Sequence, residues 1–237
     1  MSTVVEGLLD VERNLFLSLN SSHSPYWDIF MWMYTGKHTW IPLVLVFLFI
    51  AIYKTKWQES LFILVGAVLV GVLCDQISAS FVKPFFLRLR PTHHPDFNYL
   101  VDTVFNYRGG RYGFVSSHAT NGFGIATFAS LLFRYKYFTY TFILWALGTC
   151  YTRIYLGVHF ISDVVGGTIL GIAIGYFVYS LYTVGRRYIL QIPAEELCIP
   201  VLGESKARTM IFTVLIIVAS MAIYAGIFET QFLEQLS

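Results

Sequence analysis

Charged residues are scarce in this chain, because Asp, Glu, Lys and Arg together make up only 13% of its 237 residues. A soluble domain usually carries about twice that fraction, so these charges are too few to cover the surface of a soluble domain. The hydrophobic content of 56% excludes a disordered chain. A formal net charge of only +2 gives no sign of the basic surface that a nucleic-acid-binding protein needs.

Cysteine is also scarce, with only three in the chain. Cys74 and Cys150 fall in apolar segments and Cys198 in a polar one, and none has the spacing of a disulfide framework or a metal site. We therefore expect small apolar filler at these positions rather than cysteine chemistry. The abundant apolar residues indicate an integral membrane protein, provided that they cluster into spans.

The apolar residues do cluster. A helix that crosses the hydrocarbon core needs about 20 mostly apolar residues, and six segments meet or approach that length. They are residues 39–53, 60–82, 119–133, 137–152, 160–184 and 209–228. We therefore predict an all-α fold, a six-span transmembrane helical bundle that forms a single domain over residues 1–237.

The first 36 residues differ from these spans, because they mix acidic residues with Leu, Phe, Ile, Met and Trp. They lack the basic start and the unbroken apolar core of a cleavable signal peptide. The pair Ser24-Pro25 is expected to break the segment. We predict one or two amphipathic helices that lie at the membrane surface as an interfacial N-terminal segment.

Three polar clusters lie at the ends of predicted spans, where each charge needs a reason to be present. Residues 83–91 read Lys-Pro-Phe-Phe-Leu-Arg-Leu-Arg-Pro and leave the second span. Residues 115–118 read Val-Ser-Ser-His and precede the third span. Residues 152–163 read Thr-Arg-Ile-Tyr-Leu-Gly-Val-His-Phe-Ile-Ser-Asp and join the fourth span to the fifth. A six-span path brings all three clusters to the same membrane face.

Several residues of these clusters suit phosphate binding. Lys83, Arg90 and Arg153 supply cations, and the two guanidinium groups are planar forks that match phosphate oxygens. Ser116 and Ser117 add hydroxyl and backbone N–H groups at a predicted helix start, which is a natural anion site.

Two histidines are candidates for the chemical steps. His159 and Asp163 are four residues apart, so on a helix the carboxylate can reach the imidazole and leave its other nitrogen free to attack. His118 comes from a different span and can protonate a leaving oxygen. A metal site would be expected to gather several Asp or Glu residues, whereas these clusters contain essentially one. The predicted site therefore uses a histidine nucleophile, with no metal and no cofactor.

The spacings Lys-x6-Arg-Pro, Ser-x-His and Arg-x5-His-x3-Asp resemble the three motifs of the type-2 phosphatidic acid phosphatase superfamily, which includes the vanadium haloperoxidases. The resemblance covers the motif-bearing core, about residues 40–185. It implies that His159 forms a phosphohistidine intermediate, that Asp163 orients it and that His118 is the general acid. It also implies that three cations hold the phosphoryl oxygens, namely Lys83, Arg90 and Arg153.

The second motif departs from the family's usual Pro-Ser-Gly-His, because Val115 and Ser117 stand where the Pro and the Gly are expected. Losing the Gly removes backbone freedom, which can alter how closely the amide groups approach a phosphate. No charged or proton-transferring residue is lost, so we expect an active enzyme. Three further residues are candidate contacts for a lipid head group, with an ordinary loop residue as the alternative for each: His93, His94 and Arg88.

The loops indicate an orientation. The face that carries the three clusters and both chain ends holds eight Lys and Arg residues, and the opposite face also holds eight. Lys83, Arg90 and Arg153 have a chemical reason to be present, and without them the count is five against eight. By the positive-inside rule, the site then lies outside the cytoplasm. Because the chain is compact with short loops, we expect a bacterial inner-membrane protein with an extracytoplasmic active site.

These features predict a membrane phosphatase that hydrolyses a lipid-linked phosphate or diphosphate. Undecaprenyl diphosphate and lipid A phosphate are favoured by the orientation, and phosphatidylglycerol phosphate is a further candidate. The motifs also fit a lipid phosphotransferase, in which an alcohol replaces water, and less well an anion transporter. The expected partners are the lipid substrate and the bilayer, with no nucleic acid, and the oligomeric state stays open.

Overall fold

Helices form all the regular secondary structure of residues 7–234, which are the residues that our computed structural model describes. The all-α fold class is therefore confirmed for this part of the chain. The helices are α1 (Leu9–Asn20), α2 (Pro25–Thr35), α3 (Ile41–Ile52), α4 (Trp57–Gln76), α5 (Ser117–Phe133), α6 (Lys136–Tyr155), α7 (Ile161–Tyr188) and α8 (Glu204–Glu234). Helix α4 continues through a π-helical stretch, Ile77–Val82, and a last α-helical turn, Lys83–Phe86.

Three helical segments are long and apolar enough to cross a membrane, and they are Trp57–Phe86, Ile161–Tyr188 and Glu204–Gln231. A fourth crossing is formed if α2 and α3, which meet at an angle of 63°, count as one broken span. The predicted count of six spans is not confirmed. Helix α5 has only 17 residues, and α6 carries Thr, Tyr and Gly along its length, so neither reads as a membrane span by itself.

Glycines on α7 allow this helix to pack closely against α5. A Cβ atom at Gly167, Gly171 or Gly175 would lie less than 3.0 Å from a backbone carbonyl oxygen of residue 116, 120 or 124. The four-residue spacing of these glycines, which suits close helix packing, therefore serves a contact within the chain. This contact matters for the site, because α5 and α7 each begin with a motif residue.

The N-terminal helices depart from the predicted surface segment. The break at Ser24-Pro25 is confirmed, since Ser24 caps α2 by accepting a hydrogen bond from the Trp27 N–H at 3.2 Å. Helix α1, however, buries the face formed by Glu12, Phe16 and Asn20 against α6 and α7. An interfacial position for this segment is not confirmed, because this face of α1 packs inside the protein.

A buried ion pair closes the end of the bundle opposite to the three motifs. Arg186, near the end of α7, donates from Nε to both carboxylate oxygens of Glu59 at 3.0 and 3.1 Å. The two side chains are 7% and 8% exposed. The Tyr182 hydroxyl also donates to Glu59, at 3.4 Å. This pair joins the start of α4 to the end of α7, far along both helices from the motif residues.

We expect Gly171→Ala to destabilise the fold, because its methyl group would meet the backbone of α5, which cannot move aside like a side chain. Over-packing of this kind costs about 1–3 kcal/mol, and each kcal/mol lowers the Tm of a chain of this size by about 2–4 °C. Thermal unfolding in detergent measures the effect. The matched control is Gly71→Ala on α4, where a Cβ atom would meet nothing within 4 Å. Equal Tm values for the two variants would contradict the packing described here.

Candidate active site

The three motifs meet at one end of the helix bundle. Lys83, at the end of α4, donates from Nζ to Ser117 Oγ at the start of α5, at 2.7 Å. The Ser116 N–H donates to the carbonyl oxygen of Asp163 at the start of α7, at 2.9 Å. Arg153 lies in the last turn of α6. Four helix ends therefore surround a single site, as the sequence led us to expect.

A turn at a glycine after α6 reverses the direction of the chain within the third motif. Helix α6 ends at Tyr155, and Gly157 follows with φ of +71°, a left-handed conformation that favours glycine. The Val158 N–H then donates to the carbonyl oxygen of Arg153 at 3.1 Å. Because the chain reverses here, His159 lies close to the helix that carries Arg153 and directly before α7.

His159 and Asp163 form the predicted hydrogen-bonded pair. Nδ1 of His159 lies 3.3 Å from Oδ2 of Asp163, and the two side chains are 1% and 0% exposed. The same oxygen accepts the Phe160 N–H at 3.0 Å, so the carboxylate is fixed at the first turn of α7. An ionised carboxylate accepts the Nδ1 proton, which leaves the lone pair on Nε2 for a nucleophilic role.

The second oxygen of Asp163 is also engaged. Arg88 donates from one terminal nitrogen to Oδ1 of Asp163 at 2.9 Å and from the other to Glu12 at 2.6 Å. A Cβ atom at Gly113 would lie 2.6 Å from Oδ2 of Asp163, so only glycine fits there. Asp163 is therefore held on all sides by the backbone, by a guanidinium and by close packing.

Lys83 is held beside the start of α5 by a chain of hydroxyl groups. Ser117 Oγ accepts from Lys83 and from Ser78 Oγ, at 2.7 and 2.9 Å. Ser117 stands where the family motif usually has Gly, so the hydroxyl that anchors Lys83 comes from the departure itself. The same residue begins α5, whose first N–H groups have no partner within the helix and can bind an anion.

Arg90 and Arg153 are the other two cations of the site, beside Lys83. Arg90 is 8% exposed, and its guanidinium donates to the carbonyl oxygens of Tyr112 at 3.1 Å and Val158 at 3.3 Å. Arg153 is 2% exposed and donates to Thr35 Oγ1 at 2.6 Å. Nε of Arg153 is buried without a hydrogen-bond partner in the part of the chain that is described. Buried polar groups are normally paired, so this nitrogen is a candidate donor to a bound phosphate, and that role stays a prediction.

The structure gives Ser116 a different role from the predicted phosphate contact. Its side chain is fully buried and caps α5 by accepting the Ala119 N–H at 3.5 Å. Its own N–H is committed to the carbonyl oxygen of Asp163. Ser116 therefore joins the second motif to the third, and a phosphate contact through its hydroxyl hydrogen stays a prediction.

The position of Arg88 in the structure contradicts the predicted head-group contact. Its side chain is 1% exposed and lies between two carboxylates, with its guanidinium 4.6 Å from the centre of the Phe160 ring. Such a buried cation cannot reach a lipid head group. The predicted alternative, an ordinary solvated loop charge, is excluded for the same reason.

The two loop histidines lie in a more open region. His93 is half-buried, and its Nδ1 lies 3.1 Å from Thr92 Oγ1. Partial burial, and then the charges of Arg90, Arg108 and Arg111, lower the pKa of His93. His94 is half-buried as well, with its ring edge-on to Phe97. A head-group contact stays a prediction for both histidines.

The electrostatics of the site keep His159 neutral. Burial lowers the pKa of His159 well below its usual value, and the charges of Arg90, Arg153 and Lys83 lower it further. A neutral imidazole is the form that can attack phosphorus. Within residues 7–234, no three or more His, Cys, Asp or Glu side chains are grouped so that they could hold a metal ion. The charges around His159 are mostly cations, which attract a phosphate and repel a metal ion.

Sequence reasoning missed the residues that support the site from α1, α2 and α4, namely Glu12, Asn20, Thr35 and Ser78. The first three lie in the segment that was assigned to the membrane surface. A signal was present, because Glu12, Phe16 and Asn20 recur every four residues and so share one helix face. All three are buried, whereas the opposite side of α1 is exposed.

Comparison with known proteins agrees with this geometry. The sequence profile of the PAP2 superfamily matches residues 60–187, which contain all three motifs. A lipid A 4'-phosphatase of Porphyromonas gingivalis is 50% identical over 185 residues, 77% of each chain. A lipid A 4'-phosphatase of Bacteroides thetaiotaomicron is 35% identical over 229 residues, 94% of this chain and 98% of the relative.

The fold has a counterpart among solved structures. The crystal structure of a transmembrane PAP2-type phosphatidylglycerolphosphate phosphatase from Bacillus subtilis superposes with a TM-score of 0.59 at 19% identity, over 77% of this chain and 89% of that one. The likeness shows the fold, and the three apolar helices identify an integral membrane protein. The chain belongs to the PAP2 superfamily, the type-2 phosphatidic acid phosphatases whose motifs it carries.

Proposed function

We propose that this membrane lipid phosphatase removes the 4'-phosphate of lipid A through a phosphohistidine intermediate on His159. The observation that carries the chemistry is the buried His159–Asp163 pair, which lies among Lys83, Arg90 and Arg153. The observation that carries the substrate is the 50% identity to a lipid A 4'-phosphatase over 77% of both chains.

The first chemical step is attack on phosphorus by Nε2 of His159. Its Nδ1 proton is held by Asp163, so the lone pair on Nε2 is free and the ring is fixed in orientation. A bond forms between nitrogen and phosphorus while the bond from phosphorus to the sugar oxygen breaks. His118, in the first turn of α5, gives a proton to the departing oxygen. Burial and the charges of Arg153 and Arg90 lower the pKa of His118 to about 3, and the negative charge of a bound phosphate raises it again, so that His118 carries its proton in the substrate complex.

The second step regenerates the enzyme. His118, now neutral, accepts a proton from water, whose oxygen attacks phosphorus and displaces His159. Inorganic phosphate leaves with the oxygen that came from water. In both steps the negative charge on the equatorial oxygens is stabilised by cations that are already fixed in place, which is the largest contribution in reactions of this type.

The position of the site suits a lipid substrate. The motif residues lie at helix ends, with Lys83 at the end of one apolar span and Asp163 at the start of another. A phosphate at head-group depth can therefore enter the site while its acyl chains stay in the bilayer. We place this face outside the cytoplasm, at the bacterial inner membrane, on the ground of the Lys and Arg distribution.

Removing the nucleophile tests the mechanism. For His159→Ala we expect phosphate release from lipid A to fall by about 10³-fold or more, since loss of a nucleophile abolishes covalent catalysis. The matched control is His38→Ala, which replaces an exposed histidine outside the motifs. Both variants are compared by gel filtration to establish folding. Wild-type phosphate release by His159→Ala would contradict the assignment.

The position of dephosphorylation tests the substrate. Mass spectrometry of lipid A after treatment should show loss of the 4'-phosphate and retention of the 1-phosphate. Undecaprenyl diphosphate and phosphatidylglycerol phosphate, assayed in parallel, should be hydrolysed with a kcat/KM at least about 10-fold lower, a difference of about 1.4 kcal/mol in transition-state binding. Loss of the 1-phosphate, or a preference for either other lipid, would overturn the lipid A 4'-phosphatase assignment.

Metal removal tests the absence of a metal requirement. We expect phosphate release to be unchanged after dialysis against EDTA, because three protein cations replace the metal as the stabiliser of phosphate charge. Lipid A itself binds divalent cations, so the assay is repeated in detergent with metal-free substrate. Loss of activity with EDTA and recovery on addition of a metal ion would contradict this part of the proposal.

A further inference from the structure

Helix α1 lies along the third motif and holds it at three points. Asn20 donates from its side-chain amide to the carbonyl oxygens of Ile154 and Tyr155, at 3.2 and 2.8 Å, directly after Arg153. Phe16 packs against the ring of Phe160, directly after His159, with 5.4 Å between ring centres. The fixation covers the whole stretch from the end of α6 to the start of α7.

Glu12 forms the third point. One of its oxygens accepts the Ser162 N–H at 2.7 Å, and the other accepts Ser162 Oγ at 2.8 Å and Arg88 at 2.6 Å. Ser162 directly precedes Asp163. The carboxylate of Glu12 thus binds the positive N-terminal end of α7, where an anion is stabilised by the helix dipole.

Arg88 connects Glu12 to the reacting pair. Its two terminal nitrogens bind Glu12 and Asp163, and it touches Asp163 on Oδ1, the oxygen that does not face His159. A chain of four side chains results, in the order Glu12, Arg88, Asp163 and His159. All four are nearly or fully buried, so their charges are poorly screened by solvent.

We infer that Glu12 and Arg88 are positioning residues for catalysis: they fix the carboxylate of Asp163, and through it the imidazole of His159, in the orientation required for attack. Arg88 stabilises the ionised form of the carboxylate that must hold the Nδ1 proton. Glu12 in turn holds Arg88, so that the guanidinium binds Oδ1 of Asp163 and does not turn toward Oδ2 of the same residue. Neither residue touches the substrate.

A merely structural role predicts a different behaviour. A buried ion pair can be replaced by neutral side chains at little net cost, whereas removal of one partner leaves an unpaired buried charge. The double substitution Glu12→Gln with Arg88→Met removes both charges and keeps an oxygen that can accept the Ser162 N–H. If the pair served the fold alone, this double variant would regain both stability and activity relative to Arg88→Met.

The inference rests on the proposed phosphatase function and predicts a split between kcat and KM. In the double variant we expect kcat on lipid A to fall by about 10- to 100-fold, the effect of a misplaced catalytic group, with KM within about 2-fold of wild type, since phosphate contacts are untouched. Arg88→Lys keeps a cation but cannot bind both carboxylates as a fork, so it should recover part of the kcat lost in Arg88→Met.

The chain provides a matched control in the buried pair of Glu59 and Arg186 at the other end of the bundle. Glu59→Gln with Arg186→Met removes the same two charges from a similar environment. We expect this variant to lower Tm, with kcat within about 2-fold of wild type. Equal kcat for the two double variants, or a double variant at Glu12 and Arg88 with wild-type kcat, would overturn the inference.

A second measurement separates this inference from the proposed function. Orthovanadate mimics the five-coordinate geometry of phosphoryl transfer, so its Kd reports on the orientation of His159 without any lipid. The double variant at Glu12 and Arg88 should bind orthovanadate at least about 10-fold more weakly than wild type, equal to about 1.4 kcal/mol, while the Glu59 and Arg186 variant binds it normally. Failure of wild-type protein to release phosphate from lipid A would contradict the function, whereas an unchanged vanadate Kd would contradict the positioning role.

Discussion

The carboxylate of Asp163 is fully buried in a membrane protein, where an ionised group without partners would cost several kcal/mol. Three groups bind this carboxylate and offset that cost, namely the backbone N–H of Phe160, the guanidinium of Arg88 and the imidazole of His159. Its carbonyl oxygen receives the N–H of Ser116, so the start of α7 is bonded to the start of α5. The orientation of the nucleophile and the junction of two motifs therefore depend on one residue.

The partners of the three cations at the site leave their positive charge available for a phosphate. Buried cations in a membrane protein need partners. Each of the three cations at the site is held by neutral oxygen atoms and not by a carboxylate. The hydroxyl of Ser117 holds Lys83, two carbonyl groups hold Arg90, and the hydroxyl of Thr35 holds Arg153. Their positive charge is therefore left for a phosphate. The guanidinium of Arg88, by contrast, is paired with two carboxylates and supports Asp163.

The sequence predicted the helical class, the convergence of the motifs and the His159–Asp163 contact, because these follow from hydrophobic runs and fixed spacings. It did not predict the role of α1. The spacing of Glu12, Phe16 and Asn20 indicates a shared helix face, but a contact between Glu12 and Ser162, 150 residues apart, cannot be read from that spacing. The sequence also did not predict that Ser116 caps α5, because spacing does not reveal whether a serine at a helix start caps that helix or faces a ligand. The predicted count of six spans is not confirmed, because α5 is short and α6 is interrupted by polar residues, so neither reads as a span by itself.

The central claim is that the phosphoryl group passes through Nε2 of His159. Rapid acid-free quenching of wild-type protein during turnover of radiolabelled lipid A, followed by peptide mapping, tests it most directly. The account predicts an acid-labile, base-stable phosphate on the peptide that contains His159, formed and lost at rates that match turnover. A phosphate on any other residue, or turnover with no labelled enzyme under conditions that trap phosphohistidine, would contradict it.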